Sequence, residues 1–430
     1  MRNTARPIRL SRCLLIALGA VAAHFASPCR ADTALLSSVS GTGSIRAGWW
    51  TQSRSLDARG DIATASVWVN GRLDLDTAGT IRADAWTGAQ SRDNAQGDRN
   101  ERLRELYWQK YIGDADIRIG RQLIIWGRAD GINPTDNLTP RDYTLLTPDD
   151  SDQRFGVFAA NVSYQIGEQS LQLVWQPRFT GDTISLPDLP QVEYRHLSPQ
   201  RRGQWAFKLD HSGSRIDWSV SYLDGDNRVP DLSLAAVRLD GVDIGLMGHR
   251  QRVLGADAAT TLGPYVLRAE VARTFVDLDT DDAAQNFFRK RPQTQFIVGG
   301  ERNITEHYTV NVQYFAQKVY DFDDPDNLTD PVLRQIARQQ AASSNQTDGF
   351  EQGMTFRMAW NLANYTWRVE TSGIYILNSD ARLWRGKLVH MLSDRWLVDV
   401  GFDHFSGPAY SIIGRLKDNS TAFAELRYGF

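Results

Sequence analysis

Residues 63–76 read ATASVWVNGRLDLD, and every second residue in this stretch is apolar or glycine. The intervening positions carry Thr, Ser, Trp, Asn, Arg and Asp. Successive side chains of a β-strand point to opposite faces, so this alternation predicts a strand with one apolar face and one wet face. Alternation sustained over about ten residues is typical of a strand that crosses a membrane as part of a barrel.

The same pattern recurs along the chain, and short connections alternate with long ones. The predicted strands cover residues 43–52, 62–76, 79–90, 102–112, 116–126, 154–166, 170–178, 201–211, 214–224, 248–261, 265–275, 292–301, 306–317, 351–361, 365–376, 382–391, 395–405 and 419–430. An open sheet rarely exceeds about ten strands, and the chain lacks the repeat of a propeller. We therefore predict an all-β fold, a transmembrane antiparallel up-and-down β-barrel of about 18 strands with both termini in the periplasm.

The first 31 residues have the pattern of a secretory signal peptide. Four arginines precede an apolar run over residues 13–25, and the small residue Ala31 closes the segment. An N-terminal anchor helix is the alternative. Cleavage would lower Lys+Arg from 48 to 43 against 51 acids, which changes the net charge from −3 to −8. We predict a short periplasmic segment over residues 32–42 and a barrel over residues 43–430.

Both cysteines lie within the predicted signal peptide. The mature chain therefore cannot be a disulfide scaffold, a thiol enzyme or a Cys-ligated metal protein. The net negative charge also argues against a nucleic-acid partner. An exported, cysteine-free and aromatic-rich chain indicates the outer membrane of a Gram-negative bacterium, with outer-membrane lipid and lipopolysaccharide as its surroundings.

The last strand carries a second signal. The chain ends at Phe430, and Tyr428 and Leu426 continue its parity. This arrangement resembles the C-terminal signal that outer-membrane barrels present to the barrel-assembly machinery. We predict that Tyr428 and Phe430 form that signal.

Opposite charges recur two residues apart on the wet parity, where residues i and i+2 share one face. The predicted pore-lining residues are Arg72, Asp74, Arg82, Asp84, Arg118, Arg215, Asp217, Arg268, Glu270, Arg357, Arg368, Glu370, Arg385, Lys387, Glu425 and Arg427. Two interpretations are open. The charges could create a transverse field or an anion-attracting track in a water-filled channel, or they could neutralise one another and so stabilise the polar inner wall.

The connection 127–153 joins the fifth and sixth predicted strands. Loops of this length are usually functional or disordered, and glycine and Asn-Pro indicate a fixed path. We predict that it folds inward as a constriction, with an ordered surface loop as the alternative. Its candidate residues are Arg128, Asp130, Asn133, Asp136, Arg141 and Asp142.

A helix is predicted in a later connection, where Asp330 precedes Pro331 and an apolar periodicity follows. It would either partly plug the barrel mouth or pack on the rim.

Residues Ile119-Gly120-Arg121-Gln122, followed by Trp126-Gly127, resemble a strand signature of the alginate-export family and related porin-like barrels. The resemblance implies an 18-stranded barrel and export or diffusion of an anionic polymer or small solute through an arginine-bearing pore. Arg121 falls on the lipid-facing parity, so a bulge or a rim position is required for it.

Catalysis is not predicted, because the mature histidines are scattered and no hydrolase or metalloprotease motif is present. The acidic stretch 277–281 departs from a calcium loop, so neither a metal nor a cofactor is expected. We predict a passive outer-membrane channel for diffusion or export of small polar or anionic solutes or a saccharide. The alternative is a surface binding protein or adhesin that acts through its long loops.

Overall fold

The computed structural model describes residues 38–91, 101–187, 191–196, 203–213, 215–276 and 289–430. The predicted signal peptide and the acidic stretch 277–281 lie outside these residues. The described chain contains an 18-stranded antiparallel sheet, in which the first strand, β1 (Val39–Gln52), pairs with both β2 (Gly60–Asp74) and the last strand, β21 (Thr421–Gly429). Because the first and last strands pair, the sheet closes into a barrel and has no free edge.

All 18 predicted strands are confirmed as barrel strands. They are β1 (Val39–Gln52), β2 (Gly60–Asp74), β3 (Thr80–Gln90), β4 (Glu101–Ile112), β5 (Ala115–Gln122), β6 (Val157–Ile166), β7 (Gln169–Gln176), β9 (Gln204–His211), β10 (Ile216–Asp226), β13 (Arg250–Leu262), β14 (Tyr265–Val276), β15 (Gln293–Asn303), β16 (Tyr308–Val319), β17 (Phe350–Leu362), β18 (Trp367–Ile376), β19 (Ala381–Met391), β20 (Trp396–Ser406) and β21 (Thr421–Gly429). β1 begins at Val39, before the predicted start at residue 43.

The strand β5 ends earlier than predicted, at Gln122 rather than residue 126. Beyond it, side chains replace the ladder partners: Leu123 N donates to Glu105 Oε1 at 2.8 Å, and Ile124 N donates to Thr139 Oγ1 at 2.8 Å. Arg121 is the penultimate residue of β5, the ladder register runs regularly through it, and its Nε donates to Gly156 O at 2.8 Å. Arg121 therefore occupies a rim position and not a bulge.

The outer face of the barrel is apolar and carries aromatic side chains near both strand ends. Exposed aromatics near the short connections are Tyr111, Tyr164, Tyr265, Trp360, Trp367 and Trp396. Those near the opposite ends of the strands are Trp49, Phe158, Trp175, Trp205, Phe275 and Trp384. Two aromatic girdles around an apolar band are the signature of a barrel that sits in a lipid bilayer. None of the helices among the described residues is long and apolar enough to span a bilayer.

The inner face is less uniformly polar than strand parity predicts. Trp50, Ile297 and Phe423 point inward and are at most 4% exposed. Trp50 stacks on Phe423 with ring centroids 4.5 Å apart. These side chains pack with residues of the long connections, including Leu146 and Ile413. The barrel interior is therefore partly filled by folded chain.

The described chain also contains three short strands that the sequence pattern does not predict. β8 (Val192–His196), β11 (Asp231–Val237) and β12 (Val242–Met247) lie in long connections and form a separate sheet, with β12 between the other two. The predicted helix is confirmed as α1 (Pro331–Ser343), and the Asp330 side chain accepts hydrogen bonds from Val332 N and Leu333 N. Leu232 and Ile244 of the small sheet pack with Ile336 of α1. We call this sheet and helix the cap.

Gly43 of β1 pairs with Phe430 where the first and last barrel strands meet, a junction that we call the seam. Phe430 N donates to Gly43 O at 3.0 Å, and Gly43 N donates to Phe430 O at 2.9 Å. A Cβ added at Gly43 would meet the Phe430 ring at 2.5 Å. The absence of a side chain at Gly43 therefore permits the terminal ring to lie across the seam.

Gly43→Leu is expected to reduce the yield of assembled barrel, because it displaces the Phe430 ring and disturbs the closing pair of strands. The fraction of heat-modifiable protein in outer membranes measures this yield. Ala47→Leu is the control, because Ala47 is an exposed position of the same parity on β1. Equal yields for the two variants would contradict the proposed role of the seam.

Candidate functional site

The connection between β5 and β6, residues 123–156, contacts inner walls on several sides of the barrel. Arg128 bonds to Asp257 on β13, Asp130 bonds to Arg357 on β17, and Asp152 bonds to Arg46 on β1. Only a segment that runs inside the ring of strands can reach all of these positions. We call it the inward segment. Its effect on solute passage remains a prediction.

One end of the inward segment is held by a buried carboxylate. Glu270 projects from β14 and is 1% exposed. Its oxygens accept hydrogen bonds from Arg128 N, from Ala129 N at 2.5 Å and from Thr135 Oγ1 at 3.1 Å. Gly127 makes this approach possible, because its φ is +94° and a Cβ there would lie 2.8 Å from Glu270 Oε1.

The side chain of Arg128 adds ion pairs on the same side of the barrel. Its Nε lies 2.6 Å from Asp257 Oδ1, and its Nη2 lies 3.0 Å from Asp210 Oδ1. Asp257 is 1% exposed, so this pairing keeps a buried carboxylate from standing without a counter-charge. A basic residue of the inward segment thus faces an acidic part of the wall.

The other end of the inward segment is acidic and pairs with basic side chains of β19 and β21. Asp149 lies 2.8 Å from Lys387 and 3.1 Å from Arg427. Asp150 pairs with Arg385, with an Nη2 to Oδ1 distance of 3.0 Å. Partial desolvation inside the barrel raises the pKa of Asp150, whose side chain is half-exposed, but the guanidinium of Arg385 outweighs this effect and lowers that pKa to about 2. Asp150 is therefore ionised at neutral pH.

The remaining candidates within 127–153 make contacts that fix the path of the segment. Asp136 and Arg154 form a buried ion pair at 2.5 Å, with Arg141 at 3.8 Å from the same carboxylate. Asp142 accepts from Arg102 at 2.8 Å. The Asn133 amide, oriented to donate, lies 2.7 Å from Ala129 O and 2.9 Å from Ile132 O.

The predicted i and i+2 charge pairs are partly confirmed. Direct ion pairs join Arg72 to Asp74, Asp116 to Arg118, Lys208 to Asp210, Arg368 to Glu370 and Glu425 to Arg427. Other predicted residues have different partners. Asp84 forms an ion pair with Arg104, and Arg268 forms one with Glu301. Asp217 accepts a hydrogen bond from Gly213 N, and Glu270 accepts hydrogen bonds from the inward segment. Arg82 sits opposite Arg72 in the ladder, and Arg215 O accepts from Thr260 Oγ1.

A cavity of about 840 Å³ lies between the inward segment and the inner faces of β16–β21. It gathers several predicted residues, and these are Asp130, Arg141, Arg357, Arg368, Glu370, Arg385, Lys387 and Arg427. The other predicted wall residues, which are Arg72, Asp74, Arg82, Asp84, Arg118, Arg215, Asp217, Arg268, Glu270 and Glu425, are outside its lining. Arg54, Asp149, Asp150, Asp399 and Asp403 line the cavity but were not among the predicted residues.

The positive and negative side chains that line this cavity differ in how much of their surface is exposed. The side chains of Arg357 and Arg368 are 40% and 41% exposed, whereas those of Asp399 and Asp403 are 4% and 3% exposed. The most exposed charges of the wall are therefore these two guanidinium groups, which share the partner Glu370, a carboxylate that is 19% exposed. The inward segment presents acids on the opposite side, and the Asp150 side chain is 49% exposed. Charges of opposite sign therefore face one another across the cavity, and several of them form ion pairs.

No known protein family matches the sequence, and no curated protein matches it. Solved porins match the structure over most of its length. OccAB1 of Acinetobacter baumannii has a TM-score of 0.55 at 10% identity and covers 91% of this chain and 96% of its own. OpdK of Pseudomonas aeruginosa, solved with vanillate, has a TM-score of 0.55 at 10% identity, and the match covers 92% of this chain and 99% of OpdK. A BenF-like porin of Pseudomonas fluorescens has a TM-score of 0.55 at 9% identity, and the match covers 91% of this chain and 98% of the porin.

This protein is a bacterial outer-membrane β-barrel with a porin fold. The likeness at these identities concerns the fold, and it agrees with the closed barrel and its aromatic girdles. It does not show a relationship to the alginate-export family, which the signature at residues 119–122 implied.

Proposed function

We propose that the protein is a passive outer-membrane channel for small polar solutes, and that solutes pass between the inward segment and β16–β21. The observation that carries this proposal is the charged cavity of about 840 Å³ inside a closed barrel. A wet, charge-lined space within a lipid-facing barrel is the arrangement by which such proteins conduct solutes.

We further propose a preference for small anionic solutes over polymers. The guanidinium groups of Arg357 and Arg368 support attraction of an anion, because they are more exposed than their shared partner Glu370 and than the buried carboxylates of Asp399 and Asp403. The apolar packing of the inward segment against the interior argues against the wide path that a polymer needs. The solved complex of OpdK with vanillate supports a small solute by analogy of fold alone.

Planar-bilayer recording of the purified protein tests this proposal. We expect ohmic conductance and a reversal potential on the anion side in a salt gradient. Arg357→Gln with Arg368→Gln is expected to lower the anion-to-cation permeability ratio about two- to threefold, because two accessible charges are lost. Arg302→Gln with Arg382→Gln is the control, because Arg302 and Arg382 lie outside the cavity lining. A barrel without conductance would overturn the channel and favour the binding protein.

A second candidate function, a surface binding protein, is favoured by one observation. The cap has its own apolar core, which packs β11 and β12 against α1. Long connections that fold into a separate sheet can carry a ligand site of their own.

A further inference from the structure

The cap contains a second cavity, of about 280 Å³. Strands β8, β11 and β12 contribute Tyr194, Leu232 and Ile244 to its lining, and α1 contributes Val332 and Gln339. No residue of this lining is shared with the cavity inside the barrel. The two cavities are therefore separate sites within the described part of the chain.

The lining is apolar with few polar groups. The side chain of Gln339 is buried, with 6% of the residue exposed. Its Nε2 lies 3.4 Å from Ser343 Oγ, and within the described part of the chain its Oε1 has no hydrogen-bond partner. The Tyr194 hydroxyl is already engaged, since it donates to Pro187 O at 3.1 Å. A buried acceptor without a donor costs free energy, which a ligand that supplies a donor would recover.

We propose that this cavity binds a small and largely apolar molecule with one hydrogen-bond donor, of the indole or phenol class. An apolar cavity of about 150 Å³ holds benzene, so a space of this size takes roughly ten non-hydrogen atoms. The apolar walls exclude ions, because a charge buried there would have no counter-charge. The donor of the ligand would bond to Gln339 Oε1, and its ring would pack between Ile244 and Val332.

Binding would also strengthen the cap. The cavity is built from residues of three different connections, so a ligand that contacts both the small sheet and α1 holds these parts together. Anything that binds the folded form alone stabilises that form in proportion to its occupancy. Amide hydrogen exchange in α1 is therefore expected to slow when the ligand is present.

The test compares indole with indene, two bicyclic molecules of similar shape, of which only indole has an N–H donor. The full-length barrel is titrated in lipid nanodiscs by calorimetry, with empty nanodiscs as the reference for partition into lipid. We expect saturable binding of both compounds, with indole about three- to tenfold tighter, which is the effect of one net hydrogen bond. Absence of saturable binding by wild-type protein would overturn the proposal.

Three variants separate the contributions of the site. Gln339→Leu is expected to remove the preference for indole while binding of indene persists, and a preserved preference would show that Gln339 is not the acceptor. Ile244→Trp fills the cavity and is expected to abolish saturable binding of both compounds. Val237→Trp is the matched control, because Val237 is 71% exposed on the same small sheet and outside the cavity lining.

Hydrogen exchange in α1 reports whether Ile244→Trp keeps the cap folded. If that variant loses the cap, Val332→Phe replaces it, because Val332 is 52% exposed at the cavity and tolerates a larger side chain. Binding that survives in the folded cavity-filled variant would assign the indole to the barrel or to lipid, and the proposal would fall. Conductance of the wild-type channel does not enter this test.

Discussion

Replacing Glu270 with alanine is expected to raise single-channel conductance about twofold or more, because the flow through a pore depends on its narrowest section. Glu270 accepts three hydrogen bonds from the inward segment, two of them from backbone N–H groups. Removing a buried acceptor costs about 1–3 kcal/mol for each donor left unsatisfied. The segment is then released from β14, and a gap between it and that wall adds to the path along β16–β21.

A second variant separates the anchor from its charge. Gly127→Val keeps the carboxylate but places a Cβ 2.8 Å from Glu270 Oε1, so it should raise conductance in the same direction. Glu306→Ala is the control, because Glu306 is exposed in a short connection. Unchanged conductance in both Glu270→Ala and Gly127→Val would show that the inward segment does not limit flow.

Asp149→Asn with Asp150→Asn is expected to make the channel strongly anion-selective. These carboxylates are the partners of Lys387, Arg385 and Arg427 on the wall. Neutralising them removes two negative charges from the cavity, while Arg385 keeps its ion pair with Asp403 and Arg427 keeps its ion pair with Glu425. The local concentration of anions therefore increases. We expect the anion-to-cation permeability ratio to rise about three- to tenfold at low salt, and less at high salt because of screening.

The reversal potential in a salt gradient measures this ratio. Asp380→Asn with Asp418→Asn is the matched control, since both acids are exposed and lie outside the cavity lining. A shift of equal size in the control would assign the effect to general surface charge. Lowering the pH to 4 is not expected to have the effect of these substitutions. The pKa of Asp150 is lowered to about 2, so its ion pair with Arg385 persists at pH 4 and is lost only as the pH falls towards 2.

The two anchors hold opposite ends of one segment, so their effects should be coupled. A variant that combines Glu270→Ala with the two asparagine substitutions is expected to differ from the sum of the separate changes in conductance. Independent sites far apart normally give additive effects. Additivity here would indicate that each end moves without the other.

The barrel strands were predictable because their signal is local. The alternation over residues 63–76 follows from the side chains of a strand pointing to opposite faces in turn. The short connections follow from the residue types that favour tight turns. The helix α1 was predictable for the same reason, since Asp330 and Pro331 define its start. The short strands β8, β11 and β12 were missed because five to seven residues within a long connection carry little periodic signal.

The partners of the charged residues were harder to predict. Parity places Glu270 on the inner face, but nothing near it in sequence indicates that it binds backbone N–H groups of residues 128 and 129. Apolar side chains such as Ile297 and Phe423 also violate the parity rule, because folded chain inside the barrel covers them.

The sequence alone determined that this chain forms a barrel of 18 strands with an apolar outer face, because strand pairing in lipid follows a repeating local pattern. Only the tertiary structure decided which charges meet. Asp130 reaches Arg357 and Asp150 reaches Arg385 across the lumen, between positions more than two hundred residues apart. Such contacts depend on the path of one irregular segment, and no periodicity encodes that path.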